Sequence, residues 1–171
     1  YDRWWEGRKQ WGAQVIAVRN LGRSVVSFSK DDDESLLHRR KIMKYASAHT
    51  HAMRSQLRGD DVTGVNSRDE YIEEEDKEII SSSANPADEI LRQMTITLKK
   101  LAISSSLDSI GISIIHTHIS ELGAVQGACE RIANTPIPMP YTLLVNRSVW
   151  LYILLAPFAL IPSCKYFTPV I

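Results

Sequence analysis

Ser148-Val149-Trp150-Leu151-Tyr152-Ile153-Leu154-Leu155-Ala156-Pro157-Phe158-Ala159-Leu160-Ile161-Pro162-Ser163-Cys164 is an unbroken run of 17 uncharged residues. As a helix it is about 26 Å long, close to the ~30 Å hydrocarbon core of a bilayer. It has no polar face anywhere along its length, which a helix on the surface of a soluble domain needs. Trp150, Tyr152, Tyr166 and Phe167 are placed like an interfacial aromatic belt. Pro157 lies inside the run and is better tolerated in a membrane helix than in a soluble one. Arg147 stands just before it, where a long cationic side chain reaches the headgroups. The competing reading is the buried core helix of a soluble protein.

Upstream of this run, Pro136, Pro138 and Pro140 predict an extended kink that ends the preceding helix. That helix reads from a cap at Asp108 to about Asn134, with Ile110, Ile114, Ile115, Ile119, Leu122 and Val125 as its apolar stripe. Asn85-Pro86 opens a helix before it, with Asn85 as cap and Pro86 at the first position. Ile90, Met94, Leu98 and Leu101 recur every three or four residues, and Ser104-Ser105-Ser106 breaks the pattern. Residues 59–85 are acidic and serine-rich and read as a loop, with a disordered character.

Residues 31–58 predict a helix started by Asp31 to Glu34 and stopped by Arg54, Arg58 and Gly59. Leu36, Leu37, Met43, Ala46 and Met53 give its expected buried side. Residues 2–22 predict the first helix. Trp4, Trp11, Val15 and Val18 share one face, widened by Trp5, Gly12 and Ile16. Gly22 is its expected stop, although the pattern runs on through Val25, Val26 and Phe28. The fold class is therefore all-α: a helical bundle over residues 1–140 and a transmembrane region over residues 141–171. Both ends read as cut, so the chain is expected to be an internal piece of a longer, multi-pass membrane protein.

The chain carries 20 basic and 20 acidic residues, so net charge names no partner. The distribution is uneven: residues 1–58 are basic, residues 59–90 acidic, and the rest nearly uncharged. The basic residues from Arg39 to Lys44 suit anionic lipid at least as well as nucleic acid, and no nucleic-acid partner is expected. Two cysteines, Cys129 and Cys164, make no disulfide framework. His49/His51 and His116/His118 are spaced by two, which places each pair ~200° apart on a helix and argues against a shared metal. Asp31 to Glu34 and Glu73 to Asp76 lack the alternating oxygens and central Gly of a calcium loop. No nucleophile elbow, phosphate-binding glycine loop or Cys-x-x-Cys is present. Nothing points to an enzyme, a metal or a cofactor.

Two longer blocks carry more information. Tyr1-Asp2-Arg3-Trp4-Trp5-Glu6-Gly7-Arg8-Lys9, with Trp11-Gly12, is the first. Cys129-Glu130-Arg131-Ile132-Ala133-Asn134-Thr135-Pro136-Ile137-Pro138, followed by Tyr141-Thr142-Leu143-Leu144, is the second. Both resemble signatures of bestrophin-like channels, in the branch found in bacteria, fungi and plants. The blocks stand in that family's order, and the resemblance extends over most of the chain apart from residues 59–85.

The resemblance implies a homopentamer around one pore that passes chloride and other small anions, embedded in membrane lipid. It implies an apolar neck on a membrane helix just before the Arg3-Trp4-Trp5 motif. It implies a second constriction near the start of the helix preceding the proline-rich block, where Leu107-Asp108-Ser109-Ile110 matches and Ile110 would constrict. Five branched apolar side chains around an axis make a constriction that can gate by dewetting. Ile110, Ile114 and Ile115 also read as plain packing core. By resemblance, Trp4, Trp5 and Trp11 anchor the first helix in the bundle, while Glu130, Arg131, Asn134, Pro136 and Pro138 join the bundle to the membrane helix. Arg131 is expected to pair with an acidic side chain at a helix or subunit contact. The alternative is a membrane-anchored helical scaffold or regulatory protein without a pore; assembly as a ring separates the two.

Overall fold

The computed structural model describes residues 1–60, 72–105, 107–135 and 138–164. They form helices and connecting segments, with no strand among the described residues. The helices are α1 (Asp2–Phe28), α2 (Asp33–Arg58), α3 (Glu74–Ser82), α4 (Pro86–Ser104), α5 (Ser109–Asn134) and α6 (Met139–Cys164). Residues Tyr1–Asn134 make one compact unit and a second begins at Thr135, six residues before the expected boundary.

Local chemistry sets most helix ends of the first unit. The Asp32 carboxylate accepts the Ser35 N–H at 2.7 Å and starts α2. Gly59 ends it in the left-handed conformation at φ 68°, which glycine adopts without a Cβ penalty. The Asn85 side chain accepts the Asp88 N–H, and Pro86 fills the first turn of α4 where no backbone donor is needed. Asp108 Oδ1 accepts the Gly111 N–H at 2.8 Å and caps α5.

The bundle pairs α2 with α4 and α1 with α5, and α4 packs on α5. Both principal pairs run antiparallel. The Ser35 and Ser105 hydroxyls bond where α2 begins and α4 ends. The Arg3 guanidinium donates to the Ile132 carbonyl where α1 begins and α5 ends. The four-residue connections Ser29–Asp32 and Ser105–Asp108 join α1 to α2 and α4 to α5. The shared core is built from Leu21 and Val25 of α1, Ile42, Tyr45 and Met53 of α2, Met94 and Leu101 of α4, and Ile115 and Leu122 of α5. Truncating one of these to Ala costs about 2–5 kcal/mol.

Several expectations are corrected. α1 does not stop at Gly22 but runs to Phe28, because Gly22 lies under the Met43 side chain at a helix crossing rather than in a turn. Its buried face is Gln14, Ala17, Leu21 and Val25; Trp4, Trp5, Val15 and Ile16 are exposed. On α2, Leu37 is exposed while Ser35, Arg39 and His49 are buried. Arg39 bonds Asp31 at 2.9 Å, which lets its charge stay in the core edge. The stretch expected as a loop contains α3. Ile72 and Ile80 are buried beneath it, and Lys41 of α2 binds Glu73 at 2.7 Å and Asp76 at 3.0 Å. The Tyr45 hydroxyl donates to Asp76 at 2.6 Å. Ile72, Ile80 and the contacts to Lys41 thus hold residues 72–82 on the bundle, although their composition reads as disordered; residues 61–71 of the expected loop lie outside the described residues.

α6 begins at Met139, nine residues before the uncharged run, because Pro140 falls in its first turn, where the ring costs no hydrogen bond. Arg147 therefore lies within the helix, not ahead of it. The segment Met139–Ala159 has a mean hydropathy of 1.4, and none of it is buried within the chain. By length and composition it can cross a membrane. At 26 residues α6 is about 39 Å long, roughly 9 Å more than the hydrocarbon core. Tyr166 and Phe167 of the expected belt lie outside the described residues.

Candidate functional site

α5 carries most of the residues singled out in the sequence. Its inner side is Ile115, Ile119, Leu122 and Val125, all buried in the bundle. Its outer side is exposed and begins with Ile110, which is 65% exposed. Ile110 and Ile115 therefore separate: Ile115 is core, and Ile110 is not used to pack this chain. Ser113, Thr117, Glu121 and Ala124 follow Ile110 along the exposed side. The Thr117 hydroxyl is tied to the Ser113 carbonyl at 2.8 Å, and His118 Nδ1 lies 3.0 Å from Glu121 Oε2. The cap at Asp108 and the close approach of Phe28 to Gly111 fix the first turn that projects Ile110.

The other end of α5 is a polar junction. Glu130 Oε1 accepts from Gln56 Nε2 at 3.1 Å, Asn85 Nδ2 at 3.2 Å and Gln126 Nε2 at 2.8 Å. One carboxylate oxygen thus joins the end of α2, the start of α4 and α5. Gln126 passes the connection inward: its Oε1 accepts from His49 Nε2 at 3.0 Å. His49 Nδ1 accepts from Gln14 Nε2 at 3.1 Å, and Gln14 also donates to Thr50 at 3.1 Å. Gln14, His49 and Gln126 are all buried. A donor on one ring nitrogen and an acceptor on the other require the neutral Nε2–H tautomer. Burial pushes the His49 pKa below its ordinary 6.5, against smaller opposing effects of the Gln126 hydrogen bond and the Asp88 charge.

Residues of the two long blocks meet where α1 starts and α5 ends. Arg3 caps the last turn of α5 through the Ile132 carbonyl. Hydrogen bonds from Lys9 and Gln10 hold the Glu6 carboxyl below its usual range, and the charge of Arg131 acts in the same direction. Trp11 packs partly against the core. Trp4 and Trp5 do not: their rings gather with Tyr1 on the exposed side of α1, and Arg8 lies over Trp4 at 5.2 Å. Asn134 is exposed at the last turn of α5, and Pro138 precedes α6. Pro136 lies outside the described residues.

His49 is buried and His51 exposed, so the two do not converge. Among the described residues, no group of three or more His, Cys, Asp or Glu side chains is placed to hold a metal ion. Cys129 is a buried free thiol whose pKa burial raises. Gln14, Gln56, Asn85 and Gln126 were not foreseen as site residues. The one available signal was the spacing of Gln126 and Glu130, four apart on a predicted helix.

Comparison with known proteins places this geometry. The family model described as Bacterial/Fungal Bestrophin protein matches residues 1–171. A voltage-dependent anion channel-forming protein of Mesorhizobium japonicum is 38% identical over 169 residues, 99% of this chain and 52% of that protein. A voltage-dependent anion channel-forming protein of Escherichia coli is 34% identical over 171 residues, 100% of this chain and 54% of that protein. The crystal structure of a bacterial bestrophin homolog from Klebsiella pneumoniae superposes with a TM-score of 0.87 at 34% identity, covering 99% of this chain and 61% of that one. The chain thus spans about half the length of the curated relatives it matches. With the helical bundle, the apolar α6 and both signature blocks in one sequence, the chain belongs to the bacterial and fungal bestrophin family.

Proposed function

We propose that this chain is part of a channel subunit that conducts chloride and other small anions passively, through a pore formed by five identical subunits. Residues 1–134 form the cytosolic bundle in this reading, and α6 is one of several membrane helices of the whole protein. Its relatives carry the name of anion channel-forming proteins.

The observation that carries the reading is the position of Ile110. Ile110 is 65% exposed at a capped helix start and takes no part in packing this chain, which leaves it available to face an axis between subunits. In a ring with α5 toward the axis, five such side chains form a hydrophobic constriction. The Asp108 cap holds the start of α5 and the Glu130 junction and the Arg3 cap hold its end, so the constriction rests on a braced helix. Arg3, Glu130 and Arg131 act here as joints rather than as ion ligands.

The test is anion flux into liposomes holding the full-length protein, with wild type and Ile110→Ala compared. Flux that rises in the variant supports a constriction at this position. A conducting wild type whose flux is unchanged by the substitution removes Ile110 from the pore. Absence of flux in both, with intact assembly, supports a membrane-anchored scaffold instead.

A further inference from the structure

α5 carries a single formal charge between Ile110 and Cys129, the carboxylate of Glu121. Every other residue in that interval is apolar, a glycine, a hydroxyl, an amide or a histidine. Glu121 follows Ile110 by eleven residues, which at about 100° per residue brings it back to within about 20° of the same direction. Thr117, seven residues after Ile110, returns to within about 20° on the other side. Glu121 is also exposed, with its side chain 47% accessible, and is not consumed by the bundle. It pairs with His118 on the same helix at 3.0 Å, which restrains the carboxylate without carrying it away from the exposed face.

We infer that Glu121 is a charged group on the ion path that moderates its preference for anions over cations. The inference rests on the proposed channel and on α5 turning Ile110 to the axis. If it does, Glu121 turns there too, about 16 Å further along the helix. Five subunits then present a ring of five carboxylates in the wider space beyond the constriction. A ring of one sign raises the local concentration of counter-ions and lowers that of co-ions. The separation from Ile110 exceeds the ~8 Å screening length at physiological salt, so the two rings act independently. Ile110 limits passage by wetting, while Glu121 biases which ion fills the space. The carboxylate opposes chloride and favours alkali cations.

The experiment is the reversal potential of the full-length protein in planar bilayers under a potassium chloride gradient. Wild type, Glu121→Gln, Thr117→Lys and Ile110→Ala are compared. The Gln variant keeps the shape and removes the charge, and the chloride-to-potassium permeability ratio is expected to rise by about twofold or more. Thr117→Lys, on the same stripe, is expected to shift the ratio the same way, and it decides the matter should the Gln variant assemble poorly. An unchanged ratio in these variants, with conduction altered by Ile110→Ala, overturns the role of Glu121 and leaves the channel reading standing. Conduction and ratio unchanged in all three variants overturn both.

Discussion

His49 Nε2 and Gln126 Oε1 lie 3.0 Å apart in the middle of the bundle, and this bond fixes the charge of a buried imidazole. The carbonyl end of Gln126 only accepts, so His49 donates through Nε2. Its Nδ1 must then accept from the Gln14 amide at 3.1 Å. A second proton on the ring would point an N–H at an N–H. α1, α2 and α5 are joined through one uncharged ring.

The first prediction follows from that ring. Burial lowers the native pKa of His49, while the unfolded imidazole titrates near 6.5. Between these values the unfolded chain binds more protons than the folded one, so stability falls as the solution is acidified. The contribution is fully present above about pH 6.5 and is lost progressively below it. Thermal unfolding of the full-length protein from pH 7.5 to 5 should show a falling midpoint, flattened in His49→Gln. An equally steep fall in that variant would assign the acid sensitivity to other groups.

The Glu130 junction gives the second. Glu130→Ala leaves Gln56, Asn85 and Gln126 with donors that have lost their shared acceptor. Unmet donors in a partly buried site cost about 1–3 kcal/mol. Glu130→Gln keeps an acceptor oxygen and is expected to cost less. Chemical denaturation of the two variants reads the difference directly, and equal, negligible losses would mean that solvent satisfies the junction.

Docking of α3 gives the third. Burial lowers the Lys41 pKa, but hydrogen bonds to Glu73 and Asp76 outweigh it and leave the ammonium favoured. Burial and the Asp76 hydrogen bond both raise Tyr45, which stays protonated to donate to Asp76. Asp76→Leu strips Tyr45 of its acceptor and leaves Lys41 with Glu73 alone. The expected result is faster proteolysis between residues 59 and 85, with the rest of the bundle still protected. Cleavage no faster than in wild type would show that Ile72 and Ile80 alone hold the segment.

Much of the bundle was readable, and the failures share a cause. On α4 the stripe of Ile90, Met94, Leu98 and Leu101 is buried as expected, because four apolar residues at helical spacing mark one face even with Gln93 and Thr97 beside them. The caps at Asn85 and Asp108 depend only on residues three away and were equally legible. α1 was misread because its buried face includes Gln14, whose partners His49 and Thr50 are some 35 residues distant. Periodicity scores such a residue as solvent-facing and gives the face to Val15 and Ile16 instead. On the stretch containing α3, Glu73 and Asp76 find Lys41 more than 30 residues away. Polar groups satisfied by distant partners carry no local signature. At the candidate site, the family blocks pointed to Ile110 and Glu130, but the exposure of one and the three donors around the other needed the fold.

The last prediction concerns the first turn of α5, which aims Ile110. Asp108 Oδ1 caps the Gly111 N–H, and a Cβ at Gly111 would fall 2.8 Å from that same oxygen and 3.4 Å from Phe28. Gly111→Ala therefore forces the cap open, even though alanine is the better helix former elsewhere. Losing such a cap costs about 1 kcal/mol. Asp108→Ala removes the same bond from the other side. The two losses should not add: Asp108→Ala combined with Gly111→Ala is expected to be no less stable than Gly111→Ala alone, because the added methyl then has no oxygen to meet. Strictly additive losses in denaturation would place the strain at Phe28 instead. Flux through the full-length variants should move with the cap, since a frayed first turn leaves Ile110 without a fixed direction.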